Sequence, residues 1–196
     1  MSLELIEQHR GISVETLKDC GLWWNESDSN YPVVVPYYHV GGKWYDRRLW
    51  RPGLDRPDDQ AKALSPKNVD HQADSHLYNP LELGPNASLV FICEGEYDTL
   101  SVIDCGYPAV GSQGTHTFKA VWARLFSGAL VIIAFDDDKE GTTASEKLRK
   151  YFRLLGNRAY ILGRDKGRDL NDYHKLGQLD DLLDDYMFDN ELTGEN

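Results

Sequence analysis

The chain has 196 residues, 41% of them hydrophobic and 27% charged, which excludes a disordered chain. With 32 Asp and Glu against 21 Lys and Arg its formal net charge is −11, which argues against a protein that simply coats nucleic acid. No apolar run reaches the roughly 20 residues of a membrane span, MSLELIEQHRG is not a secretory signal, and Cys20, Cys93 and Cys105 form neither a disulfide framework nor a zinc ribbon. The expected location is the cytoplasm.

From residue 13, SVETLKDC predicts a short helix with Ser13 as N-cap and Gly21 as its stop. The β-rich runs YPVVVPYYHV and GGKWYDRRLW flank Gly41-Gly42 and predict a hairpin. Residues 51–86, rich in Pro, Asp, Asn and Ser, read as long connecting structure. After residue 85 the texture changes. SLVFIC (88–93), YPAV (107–110), ALVIIAF (129–135) and RAYIL (158–162) are short apolar runs suited to buried parallel strands. YDTLSVIDCG (97–106), THTFKAVWARLF (115–126) and TTASEKLRKYFRLLG (142–156) have helical spacing. Strand–helix alternation predicts a parallel sheet, with a ligand at the carboxyl ends of its strands.

The charge is unevenly spread. Residues 43–67 hold seven basic side chains against four acids, whereas 176–196 hold seven acids and no Lys or Arg. The acidic stretch reads as a solvated helix face and frayed end. The expected organisation is an N-terminal α+β unit at 1–84, an α/β unit at 85–176 and an acidic helix or tail at 177–196.

Two predicted strands end in acids: Glu94-Gly95-Glu96-Tyr97-Asp98 follows the first, and Asp136-Asp137-Asp138-Lys139-Glu140-Gly141 the third. Gly95 and Gly141 would let the chain turn sharply. Glu94, Asp136 and Asp138 at one sheet edge would repel one another unless cations intervened, and hard oxygen ligands of this kind suit Mg²⁺ or Mn²⁺. The competing explanation is helix capping, which also favours acids at helix starts. The aromatics Trp23, Trp24, Trp44, Trp50, Tyr37, Tyr38 and Tyr45 among the basic residues read either as core or as stacking surfaces for single-stranded bases.

The glutamate–glycine at one strand end and the DxDxxG-like 136–141 at the other resemble the two signatures of the TOPRIM fold. Primases of the DnaG type, topoisomerases, OLD-type nucleases and RecR-type proteins share that fold. EGEYDTLSV, in which Asp98 follows Gly95 by three residues, is similar to the primase form of the first motif. VGSQGTHTF, centred on Gly114-Thr115, and GRDLNDY (167–173), where Asp169 takes the third acidic position, resemble other primase segments. Upstream, VVVPYYHVGGKWYDRRLWRPG, KALSPKNVD and LYNP resemble the basic subdomain of bacterial and phage primases.

The resemblance covers about residues 10–176. It implies a Rossmann-like, four-stranded, mostly parallel α/β sheet flanked by helices, preceded by a small α+β basic subdomain. It implies a primase core making short primers from nucleoside triphosphates on single-stranded DNA, in a bacterium or a phage-infected cell. Glu94, Asp136, Asp138 and Asp169 would then be the catalytic and Mg²⁺- or Mn²⁺-binding residues. Arg48 and Lys67 match the family's phosphate-contacting positions, with Arg47 adjacent; Gly95, Asp98, Gly114, Thr115, Lys139 and Gly141 complete the expected nucleotide or template site. The sequence departs from the family in having no zinc-module cysteines and no GxxxxGK[ST] motor loop. The chain is therefore expected to be either a polymerase core cut from a longer protein or a small protein whose zinc-binding template-recognition module and replicative helicase act in trans, with no membrane partner. A metal-dependent TOPRIM nuclease and a non-catalytic TOPRIM scaffold are the alternatives.

Overall fold

Two four-stranded sheets carry the chain in the computed structural model, which describes residues 2–38, 44–65, 76–80, 83, 87–165 and 167–192. The first sheet is preceded by two short helices, α1 (Glu4–Arg10) and α2 (Val14–Asp19). Gly11 ends α1 in the left-handed region (φ 77°), and the Ser13 hydroxyl accepts the Thr16 N–H at 3.2 Å to start α2, as the sequence predicts. Helix α1, which was not foreseen, is held by Leu3 and Ile6 in the core. Strands β1 (Trp23–Trp24), β2 (Val33–Tyr38), β3 (Trp44–Leu49) and β4 (Ala63–Leu64) pair antiparallel in that order. The expected hairpin pairing is present, with Tyr38 opposite Trp44; its Gly41-Gly42 turn lies outside the described residues.

The second sheet is parallel, in the order β6-β5-β7-β8, from β5 (Leu89–Cys93), β6 (Ala109–Gly111), β7 (Leu130–Ala134) and β8 (Ala159–Ile161). Helices α3 (Glu96–Asp104) and α4 (Lys139–Leu154) follow β5 and β7, and α5 (Leu170–Lys175) and α6 (Leu179–Asp189) follow β8. Alternate strand residues face opposite sides. Val90, Ile92, Val131 and Ile133 meet Leu148 and Phe152 of α4 together with Trp122 and Phe126. Phe91, Cys93, Ile132 and Ala134 meet Leu170 and Tyr173 of α5 and Leu179, Leu183 and Met187 of α6. Each fully buried Leu, Ile or Phe adds about 1.5–3 kcal/mol. The acidic stretch thus contributes a helix whose inner face is core.

One expected element is shorter than its sequence pattern. Only Ala120–Phe126 is helical within 115–126, and it is a 3₁₀ helix. The Gly114 carbonyl is taken by the Thr117 and Ser112 hydroxyls at 2.9 and 2.7 Å. These side-chain bonds compete with a regular helix start.

The sheets are linked by α3. Its Leu100 joins the core of the first sheet, with Ile6, Ile12, Leu17, Val33, Val35 and Tyr37, while Val102 joins that of the second. Among the described residues no helix is long and apolar enough to cross a membrane.

Candidate active-site cleft

Because β5 and β7 are parallel neighbours with Cys93 opposite Ala134, the acids that follow both strands emerge at one sheet edge. The Asp136 N–H donates to Glu94 Oε2 at 3.2 Å. These acids open into a cleft of about 490 Å³ between the two sheets. Its acidic wall is Glu94, Asp98, Asp136 and Asp169, and its basic wall Arg47, Arg51, Arg56 and Lys62.

The backbone dictates this edge. A Cβ at Gly141 would lie 2.0 Å from the Asp136 carbonyl oxygen, so only glycine lets the start of α4 approach that closely. Gly114 lines the cleft at φ +115° and donates its N–H to the Glu94 carbonyl at 3.1 Å. Gly95 is the extended N-cap of α3.

The acidic wall is strained electrostatically. Burial first, then the charge of Asp136, raises the Glu94 carboxyl above its ordinary value. Burial, then the charges of Asp169 and Asp136, pushes Asp98 up to about 7, against the Asn171 N–H that it accepts at 3.0 Å. Asp136 is raised by burial although Arg164 opposes the shift, as does Lys62 more weakly. The Arg164 side chain is 1% exposed and its Nη2 lies 3.4 Å from Asp136 Oδ1. Its guanidinium also donates to the carbonyls of Ala134 and Phe135, which fastens the carboxyl end of β7.

The expected site residues divide. Glu94, Gly95, Asp98, Gly114, Asp136, Asp169 and Arg47 all line the cleft. Asp138 and Asp169 spend Oδ1 on capping, accepting the Gly141 and Asp172 N–H groups at 2.7 Å each. Lys139 opens α4 on the exposed surface. Arg48 is turned away, paired with Asp28 at 2.7 Å, and Thr115 lines a second groove beside α4. Lys67 lies outside the described residues.

Several cleft residues were not singled out by sequence. Glu96 accepts from Arg47 at 2.7 Å and from the fully buried Tyr37 hydroxyl at 2.6 Å, tying β2 and β3 to α3. Arg10 stacks 4.5 Å over Tyr97 and bonds Asn171 at 3.4 Å. These pairs join residues 49 to 161 positions apart, where no local pattern exists. Arg51, Arg56 and Lys62 had a signal only as members of the basic stretch.

The donor set suits a hard divalent ion: these are carboxylate oxygens, and burial with mutual repulsion is what a bound cation would relieve. Among the described residues, no three His, Cys, Asp or Glu side chains are gathered at one point.

An acid-edged parallel sheet facing a basic antiparallel one gives the chain the fold of TOPRIM primases. The chain belongs to the Toprim-like family, whose pattern matches residues 91–174. It is 30% identical over 143 residues to the Gene 57 protein of Mycobacterium phage D29, covering 71% of this chain and 87% of that one. The primase fragment of the bacteriophage T7 primase-helicase protein superposes with a TM-score of 0.71 at 23% identity, covering 91% of this chain and 72% of that one. A DnaG catalytic core does so at 0.68 and 18% identity, covering 93% and 72%.

Proposed function

We propose that the chain is a primase catalytic core, a nucleotidyltransferase that builds short primers from nucleoside triphosphates on single-stranded DNA. The observation that carries this reading is the cleft itself, in which a wall of arginines and a lysine faces a wall of carboxylates across about 490 Å³. A nuclease needs the acidic wall; positioning a triphosphate against a template also calls for the basic one.

In this mechanism the 3′-hydroxyl of one nucleotide attacks the α-phosphorus of the next and pyrophosphate leaves. Arg47, Arg51 and Lys62 bind phosphate oxygens, and Lys62, whose charge already reaches Asp136, stands across the cleft from the carboxylates. Glu94, Asp136, Asp138 and Asp169 would hold Mg²⁺ or Mn²⁺, Asp138 and Asp169 through the oxygen not used in capping. The ion, when bound, lowers the pKa of the attacking hydroxyl and offsets the charge developing on phosphate. Asp98, buried and near the charges of Asp169 and Asp136, stays protonated more readily than an ordinary carboxyl and limits repulsion within the wall. Glu96 holds Arg47 in the cleft until a phosphate competes for it.

Relatives support the wider setting. One similar structure is a DnaG catalytic domain bound to ssDNA. Another has T7 primase domains bound to an RNA/DNA hybrid and dTTP. A third carries zinc-binding and RNA polymerase domains. A template-recognition zinc module and a helicase acting in trans, in the cytoplasm of a bacterium or a phage-infected cell, belong to the same proposal.

The test is primer synthesis on single-stranded DNA with Mg²⁺ or Mn²⁺ and nucleoside triphosphates. Primers are expected from the wild type, and a loss of about 100-fold or more from Glu94→Gln or Asp136→Asn. DNA nicking without primer synthesis replaces the reading with a nuclease. Divalent-ion binding unchanged by Asp136→Asn and Asp138→Asn overturns the metal site.

A further inference from the structure

The groove beside α4 combines an apolar lining with basic charge. It measures about 490 Å³, with Phe118, Phe135, Leu148 and Tyr151 among its apolar lining and His116, Lys147 and Lys150 as its basic groups. No Asp or Glu is among the described residues that line it, in a chain of net charge −11. Leu154, 85% exposed, belongs to the same lining. An apolar groove with only basic charge fits an amphipathic acidic helix.

The chain carries such a helix. Leu179, Leu183 and Met187 of α6 point into the core, so Asp181, Asp185 and Phe188, spaced i, i+4, i+7, share an outer face. Phe188 is 75% exposed. The groove and this face cannot meet within one molecule. Helix α4 packs on the sheet side of Val90, Ile92, Val131 and Ile133, and α6 on the side of Phe91, Cys93, Ile132 and Ala134.

We propose that the chain associates head to tail with a second copy, the Asp181–Asp185–Phe188 face of α6 on one molecule seating in the His116–Lys147–Lys150 groove of the next. Phe188 is the apolar anchor among the groove's aromatic and aliphatic side chains, and the flanking aspartates meet the lysines. The contact is heterologous, so repetition builds an open chain or a ring rather than a two-fold dimer. A single helix face buries less than a standard interface, which makes the association weak and concentration-dependent. Exposed opposite charges make it weaken with salt. Apart from Thr115, which only the resemblance placed in the nucleotide site, neither surface includes a residue assigned to the chemistry of the cleft, and Thr115 is not varied, so the outcome does not depend on the primase reading.

Sedimentation of the whole chain from about 1 µM to about 1 mM tests this. The weight-average mass is expected to rise with concentration at low salt and to fall back in about 0.5 M NaCl. Phe188→Ser and the double variant Lys147→Glu/Lys150→Glu are each expected to be monomeric with unchanged circular dichroism, since all three side chains are exposed. Mixed in equal amounts they are expected to give a discrete heterodimer, because one retains the groove and the other the helix face. A wild-type chain that stays monomeric throughout, a Phe188→Ser variant that associates like wild type, or a mixture without heterodimer overturns the proposal.

Discussion

Arg164 and Gly141 show how single residues shape the acidic edge. The Arg164 guanidinium is buried against Asp136 and the carbonyls of Ala134, the last residue of β7, and Phe135, which follows it. Arg164→Gln would leave those acceptors short of donors, and a loss of about 3 kcal/mol is expected in urea unfolding, partly recovered by Arg164→Lys. Most of this loss belongs to the carbonyls, because Asp136 is 43% exposed and its ion pair is screened. At Gly141 the added methyl of alanine meets the Asp136 carbonyl at 2.0 Å. Gly141→Ala should therefore displace Asp136, costing about 2–4 kcal/mol of stability and, in the primer assay, more activity than Gly95→Ala, whose Cβ meets nothing within 4 Å.

At the scale of elements, Asp104 staples three helices. It accepts the Ser13 N–H at 3.2 Å and hydroxyl at 2.5 Å, and lies 2.9 Å from His174 Nε2, joining the starts and ends of α2, α3 and α5. Burial alone would raise this carboxyl; the hydrogen bonds from Ser13 and Thr16 and the charge of His174 outweigh it and hold it below the ordinary range. A carboxyl lowered on folding contributes stability above its unfolded value of about 3.9, and that contribution is lost as pH falls through the folded value. Asp104→Asn is therefore expected to cost about 1–3 kcal/mol at pH 7. The gap between its urea midpoint and that of the wild type should close as pH falls from about 5 towards 3. A gap that widens on acidification would show that the network is not what Asp104 contributes.

The strand–helix alternation of the parallel sheet was readable because SLVFIC and ALVIIAF are fully apolar and end in acids. Segment 115–119 misled, since helical spacing does not register the Ser112 and Thr117 hydroxyls that consume the Gly114 carbonyl. In the site, Glu94 and Asp136 stood out because each directly follows a strand. Arg10 and Asn171 did not, because their roles arise only when α1, α3 and α5 come together, nor did Glu96, whose partners lie on β2 and β3.

For the whole molecule, the repulsion stored in the cleft links pH, divalent ions and stability. Asp98, raised to about 7 by burial and the charges of Asp169 and Asp136, disfavours the folded state increasingly as pH rises from about 4 to 7, where the folded chain holds a proton the unfolded chain has lost. A bound cation offsets that penalty only once the carboxylates are ionised. The gain in melting temperature on adding Mg²⁺ at matched ionic strength is therefore expected to be larger at pH 8 than at pH 5. Equal gains at both pH values would count against Asp98 as the group whose charge the cation offsets.

The antiparallel bridge between Tyr78 and Gly111 has its own consequence. Their N–H groups and carbonyls are exchanged at 2.8 and 3.0 Å, which occupies the outer side of β6, the sheet's first strand. At the opposite margin β8 is three residues long and its Ile161 carbonyl accepts the Tyr186 hydroxyl at 2.7 Å. Both margins are thus blunted against strand addition. A fragment beginning at residue 87 would keep every acid of the cleft yet bare β6 as a template for other chains. Such a fragment is expected to precipitate at concentrations where the 196-residue chain does not, so the colloidal behaviour of the parallel sheet depends on residues upstream of it.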